Sequence, residues 1–221
     1  MKKYAISDIH GCAKTFKALV EQINLTKEDK LFILGDYFDR GPDVKGVIDY
    51  IWQLQEEGFF VKCLMGNHEV MLIQELARPS GFYLGQPEVL ISFRVNNIKD
   101  IPKKYIDWVK QLYVFAEVDE YILVHAGLNF KANEIMSDID SMIWIRGWYD
   151  DIDKDWLKGR IVLHGHTPAT KLEIQRSLRT LDEIPAIDID GGCVFKREGL
   201  GYLCAFEMTE RKLSFMRNID N

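Results

Sequence analysis

Five short apolar runs in this chain each stop at a group built from Asp, His or Asn, and that punctuation limits what the chain can fold into. Residues 4–6 run into Ser7-Asp8-Ile9-His10-Gly11, and residues 31–34 into Gly35-Asp36-Tyr37-Phe38-Asp39-Arg40-Gly41. Residues 59–65 run into Gly66-Asn67-His68-Glu69, residues 121–124 into His125-Ala126-Gly127, and residues 161–163 into His164-Gly165-His166-Thr167-Pro168. Short apolar runs bounded by glycine mark buried strands, and polar groups at strand carboxyl ends are where open α/β sheets assemble sites. Five such endings, all drawing on metal-ligand residue types, point to one site gathered from most of the chain.

Between the runs lie helical patterns. Phe16, Leu19, Val20 and Ile23 predict a helix over 15–23, and Val47, Ile48, Ile51 and Leu54 another over 44–55. Further helices are expected over 70–77 and 103–112, the latter opened by Pro102. Residues 114–118 and 121–124 flank Asp119-Glu120 as a hairpin, and 172–174, 186–189, 202–207 and 213–215 are expected to form strands of a second sheet meander. Residues 78–100, with two glycines and two prolines, are expected to be a long loop forming a rim or lid over the site.

Alternating strands and helices in 221 residues suit one α/β domain spanning 1–221. A net charge of −6 argues against a general nucleic-acid binder, while allowing a local positive site. No apolar stretch has transmembrane length, and Met-Lys-Lys leads directly into a strand. A cytoplasmic protein with no membrane partner is the expectation. Cys12, Cys63, Cys193 and Cys204 lack Cys-x-x-Cys spacing and are expected to be reduced thiols, with Cys12 at the start of a helix.

The chemistry follows from the endings. Asp8 and His10 are two apart, and in an extended backbone they would point to the same side. Asp36 ends a nearly wholly apolar run, so its carboxylate would be buried and would need a cation. Asn67, His125 and His166 each lie just beyond a strand. Together these make six oxygen and nitrogen ligands, too many for one tetrahedral ion and suited to two ions sharing a carboxylate. The absence of thiolates disfavours structural zinc, and imidazole with carboxylate suits manganese, iron or zinc better than magnesium or calcium. His164 falls inside its strand and is expected either to support the ligands from behind or to be structural.

These motifs, in this order, resemble the calcineurin-like metallophosphoesterases, and within them the bacterial branch of the phosphoprotein phosphatases. The resemblance implies a four-layer αββα sandwich, two mixed β-sheets flanked by helices. It implies two divalent ions, manganese first with iron or zinc as alternatives. Asp8, His10 and Asp36 would hold one ion; Asp36, Asn67, His125 and His166 would hold the other. It further implies in-line attack by a hydroxide bridging the ions, His68 as general acid oriented by Asp39, and Arg40 and Arg146 as phosphate-binding arginines. The function expected is a serine/threonine protein phosphatase acting on a phosphorylated protein or small phosphoester. A dinucleoside polyphosphate hydrolase is the alternative; such relatives more often carry Asp where this chain has Glu69. A non-catalytic scaffold is the third reading.

Overall fold

Strands that read as unbroken apolar runs do so because both of their faces are covered. The computed structural model describes residues 1–78 and 87–220. One sheet contains β1 (Lys3–Ile6), β2 (Lys30–Ile33), β3 (Phe60–Cys63), β8 (Tyr202–Glu207) and β9 (Lys212–Arg217), in the order β3-β2-β1-β8-β9. The other contains β4 (Phe115–Val118), β5 (Tyr121–Val124), β6 (Ile161–His164) and β7 (Ala186–Asp188), in the order β4-β5-β6-β7. Both sheets are mixed. β1, β2 and β3 pair in parallel while β8 and β9 run antiparallel; β5, β6 and β7 pair in parallel with β4 antiparallel.

The two-residue period divides each strand between two cores. Tyr4, Ile6, Leu31 and Ile33 face outward onto helices α1 (Ala13–Gln22) and α2 (Val44–Glu56), meeting Phe16, Leu19, Val47, Ile48 and Ile51. Ala5, Phe32, Cys204 and Phe206 face inward onto Tyr121, Leu123, Ile161 and Leu163 of the second sheet. The opposite face of that sheet, with Ile122, Val124 and Val162, packs on Met142 of α6 (Ile139–Trp144), Trp148, and Leu157 of α7 (Lys154–Leu157). The layers therefore run helix, sheet, sheet, helix, as the family resemblance implied. No helix among the described residues is long and apolar enough to cross a membrane.

Three expectations need correction. β8 and β9 are not in the second sheet; they extend the first, because β8 pairs antiparallel to β1. Residues 172–174 are not a strand but lie in α8 (Lys171–Arg179). That helix starts on a reciprocal cap: Glu173 Oε2 accepts from Thr170 N at 2.7 Å, and Thr170 Oγ1 from Glu173 N at 3.3 Å. Thr170→Ala is expected to lower stability by about 1 kcal/mol, read as a shifted denaturant midpoint with unchanged slope. An unshifted midpoint would show that the cap is idle.

The third correction concerns 78–100, which is not one long loop. α4 (Pro87–Phe93) and a single 3-10 turn at Ile98–Asp100 follow α3 (Asn67–Ala77). α4 is fixed to α2 through Ser92 Oγ, which accepts from Lys45 N at 2.8 Å, and Phe93 stacks on Phe38 at 6.3 Å. The rest of the rim-or-lid expectation falls on 79–86, outside the described residues. The helix over 103–112 is shorter than expected, α5 (Lys103–Val109). All four cysteines are free and buried, with Cys12 directly before the first turn of α1 and making no side-chain capping bond.

Candidate metal centre

All five polar endings sit at the carboxyl ends of β1, β2, β3, β5 and β6, which bring them to a shared edge of the two sheets. The sheets are tied together there. His125 Nδ1 donates to Leu34 O at 3.0 Å, and His166 N donates to Asp8 Oδ2 at 3.0 Å. Within the first sheet, His10 N bonds Asp36 O at 2.8 Å and Asp8 N bonds Gly35 O at 3.3 Å. Gly35, at φ +111°, has no room for a Cβ, which would lie 2.5 Å from Gly66 N.

Asp8 and His10 converge, but not by the extended geometry expected. Their φ values are +52° and +45°, in the left-handed region. Asp36, Asp39, Arg40 and His166 share that conformation, at φ +55°, +65°, +71° and +75°. Left-handed backbone is uncommon outside glycine and tolerated best by Asp, Asn and His, and its clustering marks a functional site.

Asp36, 1% exposed, lies at the centre. Its Oδ2 is 3.4 Å from His10 Nε2 and 3.8 Å from His68 Nε2, while its Oδ1 is 3.4 Å from His125 Nε2. His10, Asp36 and His68 form one group able to hold a cation, and Asp36, His125 and His166 form a second. One carboxylate belongs to both. Asn67 joins the second group, its Oδ1 3.0 Å from His125 Nε2 and 2.9 Å from His166 Nδ1.

The hydrogen-bond pattern fits cations. His10 gives its Nδ1 proton to Phe38 O at 2.8 Å, as His125 does to Leu34 O, so each turns an Nε2 lone pair inward. His125 Nε2 and Asn67 Oδ1 are then two acceptors 3.0 Å apart with no proton between them. Asp8 Oδ1 and His166 Nε2 are buried without any hydrogen-bond partner, a costly arrangement in a dry interior. Arg40 donates to His10 Nε2 at 2.7 Å, so a cation there would compete with the guanidinium for that lone pair.

Electrostatics separate the histidines into two kinds. Burial pushes His10 down to about 3, with Arg40 and His68 adding to the effect. Burial and the nearby His125 push His166 to about 3, and burial lowers His125 as well. His68 moves the other way. Burial opposes its charge, but the Asp39 carboxylate, 2.7 Å from Nδ1, and Asp36 outweigh that and raise it. Burial, with Asp8 and Glu69 nearby, holds Asp36 well above the usual carboxylate range.

Arg146 is exposed at the rim, its Nη1 donating to Thr167 Oγ1 at 2.9 Å. His164 stays out of both groups, as expected: it is buried, with Nε2 2.6 Å from Tyr149 OH.

Two residues of the site were missed from the sequence. Glu69, fully buried, accepts from Asp36 N (2.9 Å) and Gly66 N (2.8 Å) through Oε2, and from Tyr37 N (2.9 Å) and Phe38 N (3.2 Å) through Oε1. Its signal was its place in the first turn of α3, three residues after the capping Gly66. Asp190 is 2% exposed and lies within the electrostatic reach of Asp8, Asp36 and Arg40. It stands at a sixth polar ending, Asp190-Gly191-Gly192 after β7, of the same kind as the other five.

The sequence model of the calcineurin-like phosphoesterases matches residues 1–198. The chain is 30% identical over 131 residues to the symmetrical bis(5'-nucleosyl)-tetraphosphatase of Nitrosospira multiformis, covering 58% of this chain and 44% of that one. It is 32% identical over 144 residues to the protein of the same name from Wigglesworthia glossinidia brevipalpis, covering 63% and 48%. The chain thus spans about half the length of the curated relatives it matches. Among solved structures it is similar in fold to a protein serine/threonine phosphatase from Saccharomyces cerevisiae, with TM-score 0.71, 14% identity, and coverage of 100% and 81%. A metallophosphoesterase from Sphaerobacter thermophilus matches with TM-score 0.61, 16% identity, and coverage of 100% and 90%.

Proposed function

The chain belongs to the calcineurin-like phosphoesterase family, and from that premise we propose that it is a two-metal phosphohydrolase cleaving the oligophosphate chain of a dinucleoside polyphosphate. The observation that carries the metal chemistry is Asp36, whose two oxygens face separate ligand groups. The substrate follows the names of the curated relatives, symmetrical bis(5'-nucleosyl)-tetraphosphatases. They favour this reading over the protein phosphatase that the motifs alone suggested. The shared core between the two sheets supports residues 1–221 as one domain.

In this reading Asp8, whose Oδ1 is buried without a partner, would join His10 and Asp36 on one divalent ion in place of His68, which the bare geometry also brings there, and Asp36, Asn67, His125 and His166 would hold the other, with manganese the first candidate. When bound, such ions polarise phosphoryl oxygens and acidify water. The histidine pKa directions run with the division of labour: burial moves His10, His125 and His166 toward the neutral form that a ligand needs, while the Asp39 and Asp36 carboxylates move His68 toward the protonated form. His68 holds a proton at Nε2 for the leaving oxygen, and Asp39 at Nδ1 fixes the ring and that proton's direction. Arg40, bonded to His10, and Arg146, bonded to Thr167, bind phosphoryl oxygens through their guanidinium forks.

The deciding experiment compares the manganese-loaded chain on diadenosine tetraphosphate, a phosphoserine peptide and p-nitrophenyl phosphate. The tetraphosphate is expected to give the highest kcat/KM; a higher value on the phosphopeptide would return the protein phosphatase reading. His68→Asn is expected to cut kcat on the preferred substrate by about 10²- to 10⁴-fold, with metal content unchanged. Retained turnover in that variant would remove His68 from the acid role.

A further inference from the structure

Beyond Arg40, the surface next to the metal centre carries three cations, Lys196, Arg197 and Arg217, against one acid, Glu198. The Arg40 guanidinium lies 5.5 Å from the centroid of the Phe195 ring, and the Arg197 guanidinium lies 6.0 Å from the same ring. Phe195 therefore links the arginine that touches His10 to the next loop. That loop, 191–201, is rooted beside the site. Gly192 N donates to the buried Asp190 Oδ1 at 2.8 Å, and Phe195 N and Gly201 N both donate to Gly192 O, at 2.9 and 3.1 Å.

Phe195, Lys196, Arg197, Arg217 and Asn218 line an open cavity of about 490 Å³, with Glu198 as the one acid on its wall. Arg217 lies against Tyr202, its guanidinium 6.0 Å from the ring centroid. Among the described residues, Arg40, Lys196, Arg197 and Arg217 form no ion pair with a carboxylate, and Glu198 is the one acid beside them on the cavity wall. Four unpaired cations gathered on one side of a chain with net charge −6 repel one another. Such an arrangement is favourable when an anion spans it. A single phosphoryl group needs only the ligand cluster, Arg40 and Arg146.

We infer that the Phe195-Lys196-Arg197 loop and Arg217 form a second anion subsite, which takes the phosphates of an oligophosphate substrate beyond the one bound at the metal centre. This subsite rests on the phosphohydrolase reading and gives it chain-length selectivity. Phe195 keeps Arg40 and Arg197 in line, so that successive phosphates meet successive cations. Because Lys196, Arg197 and Arg217 are exposed, the selectivity falls as ionic strength rises.

Calorimetric titration of the metal-loaded chain with inorganic tripolyphosphate and with orthophosphate, at a fixed free concentration of the divalent ion, tests the subsite. The wild-type chain is expected to bind tripolyphosphate more tightly than orthophosphate, and Arg197→Glu to shrink that ratio about fivefold or more. Lys196→Ala is expected to shrink it less, and the orthophosphate constant is the internal reference for folding and metal loading. A ratio unchanged in both variants overturns the subsite, even if diadenosine tetraphosphate is hydrolysed. A reduced ratio in a chain that does not hydrolyse diadenosine tetraphosphate leaves the subsite standing and removes the dinucleotide reading instead.

Discussion

Asp36→Asn is expected to lower divalent-metal affinity by more than about 100-fold and to take phosphohydrolase turnover down with it. Losing an outer partner of a ligand already costs 10- to 100-fold, and Asp36 faces both ligand groups at once. The amide keeps an oxygen for one group and turns an NH₂ toward the other, where the Nε2 atoms need a cation. Asn is also at home at φ +55°, so backbone strain does not confuse the result. Metal content after dialysis, measured by atomic emission beside turnover, checks it. Retention of two ions per chain with wild-type turnover would end the bridging assignment.

Glu69→Ala is expected to be the most destabilising single change near the site. Four backbone N–H groups, from Asp36, Tyr37, Phe38 and Gly66, would lose their acceptor in a fully buried position. At about 1–3 kcal/mol for each unsatisfied buried group, the loss is about 4 kcal/mol or more. Domains have only 5–15 kcal/mol in total, and for a chain of this size the melting temperature should fall by about 10 °C. Glu69→Gln, which keeps one acceptor oxygen, should fall between the two. Thermal melts of the three proteins decide; an alanine variant melting within about 2 °C of wild type would mean that the 36–38 turn holds itself.

Much of the site could be read from the sequence because strand endings are local. A run such as residues 121–124 followed by His125 places its polar residue at a carboxyl end wherever the strand sits in the sheet. Sheet membership is not local. β8 joins β1 across some two hundred residues of chain, through a pairing that no turn or spacing announces. Residues 172–174 read as a strand on apolar content, but the cap at Thr170 and Glu173, and a single buried residue, Ile174, made the helix. Asp8 and His10 were identified through an extended geometry that they do not adopt; bonds to Gly35 O and Asp36 O, a strand away, bend them into the left-handed region. Glu69 was weighed as a family marker, although its work is to hold four amides of neighbouring endings. Asp190 was passed over because its ending contains no histidine.

The left-handed backbone at Asp8, His10, Asp36, Asp39, Arg40 and His166 also shapes how a lineage carrying this fold can change. These positions favour Asp, Asn, His and Gly on conformational grounds alone, before any ion or substrate is considered. A drift from Asp or His to Asn or Gly there removes chemistry while sparing, or even relaxing, the backbone. A drift to valine or isoleucine removes the chemistry and strains the turn. Loss of catalysis and loss of folding are thus separable by a few short substitutions, and inactive descendants that keep the sandwich are within easy mutational reach.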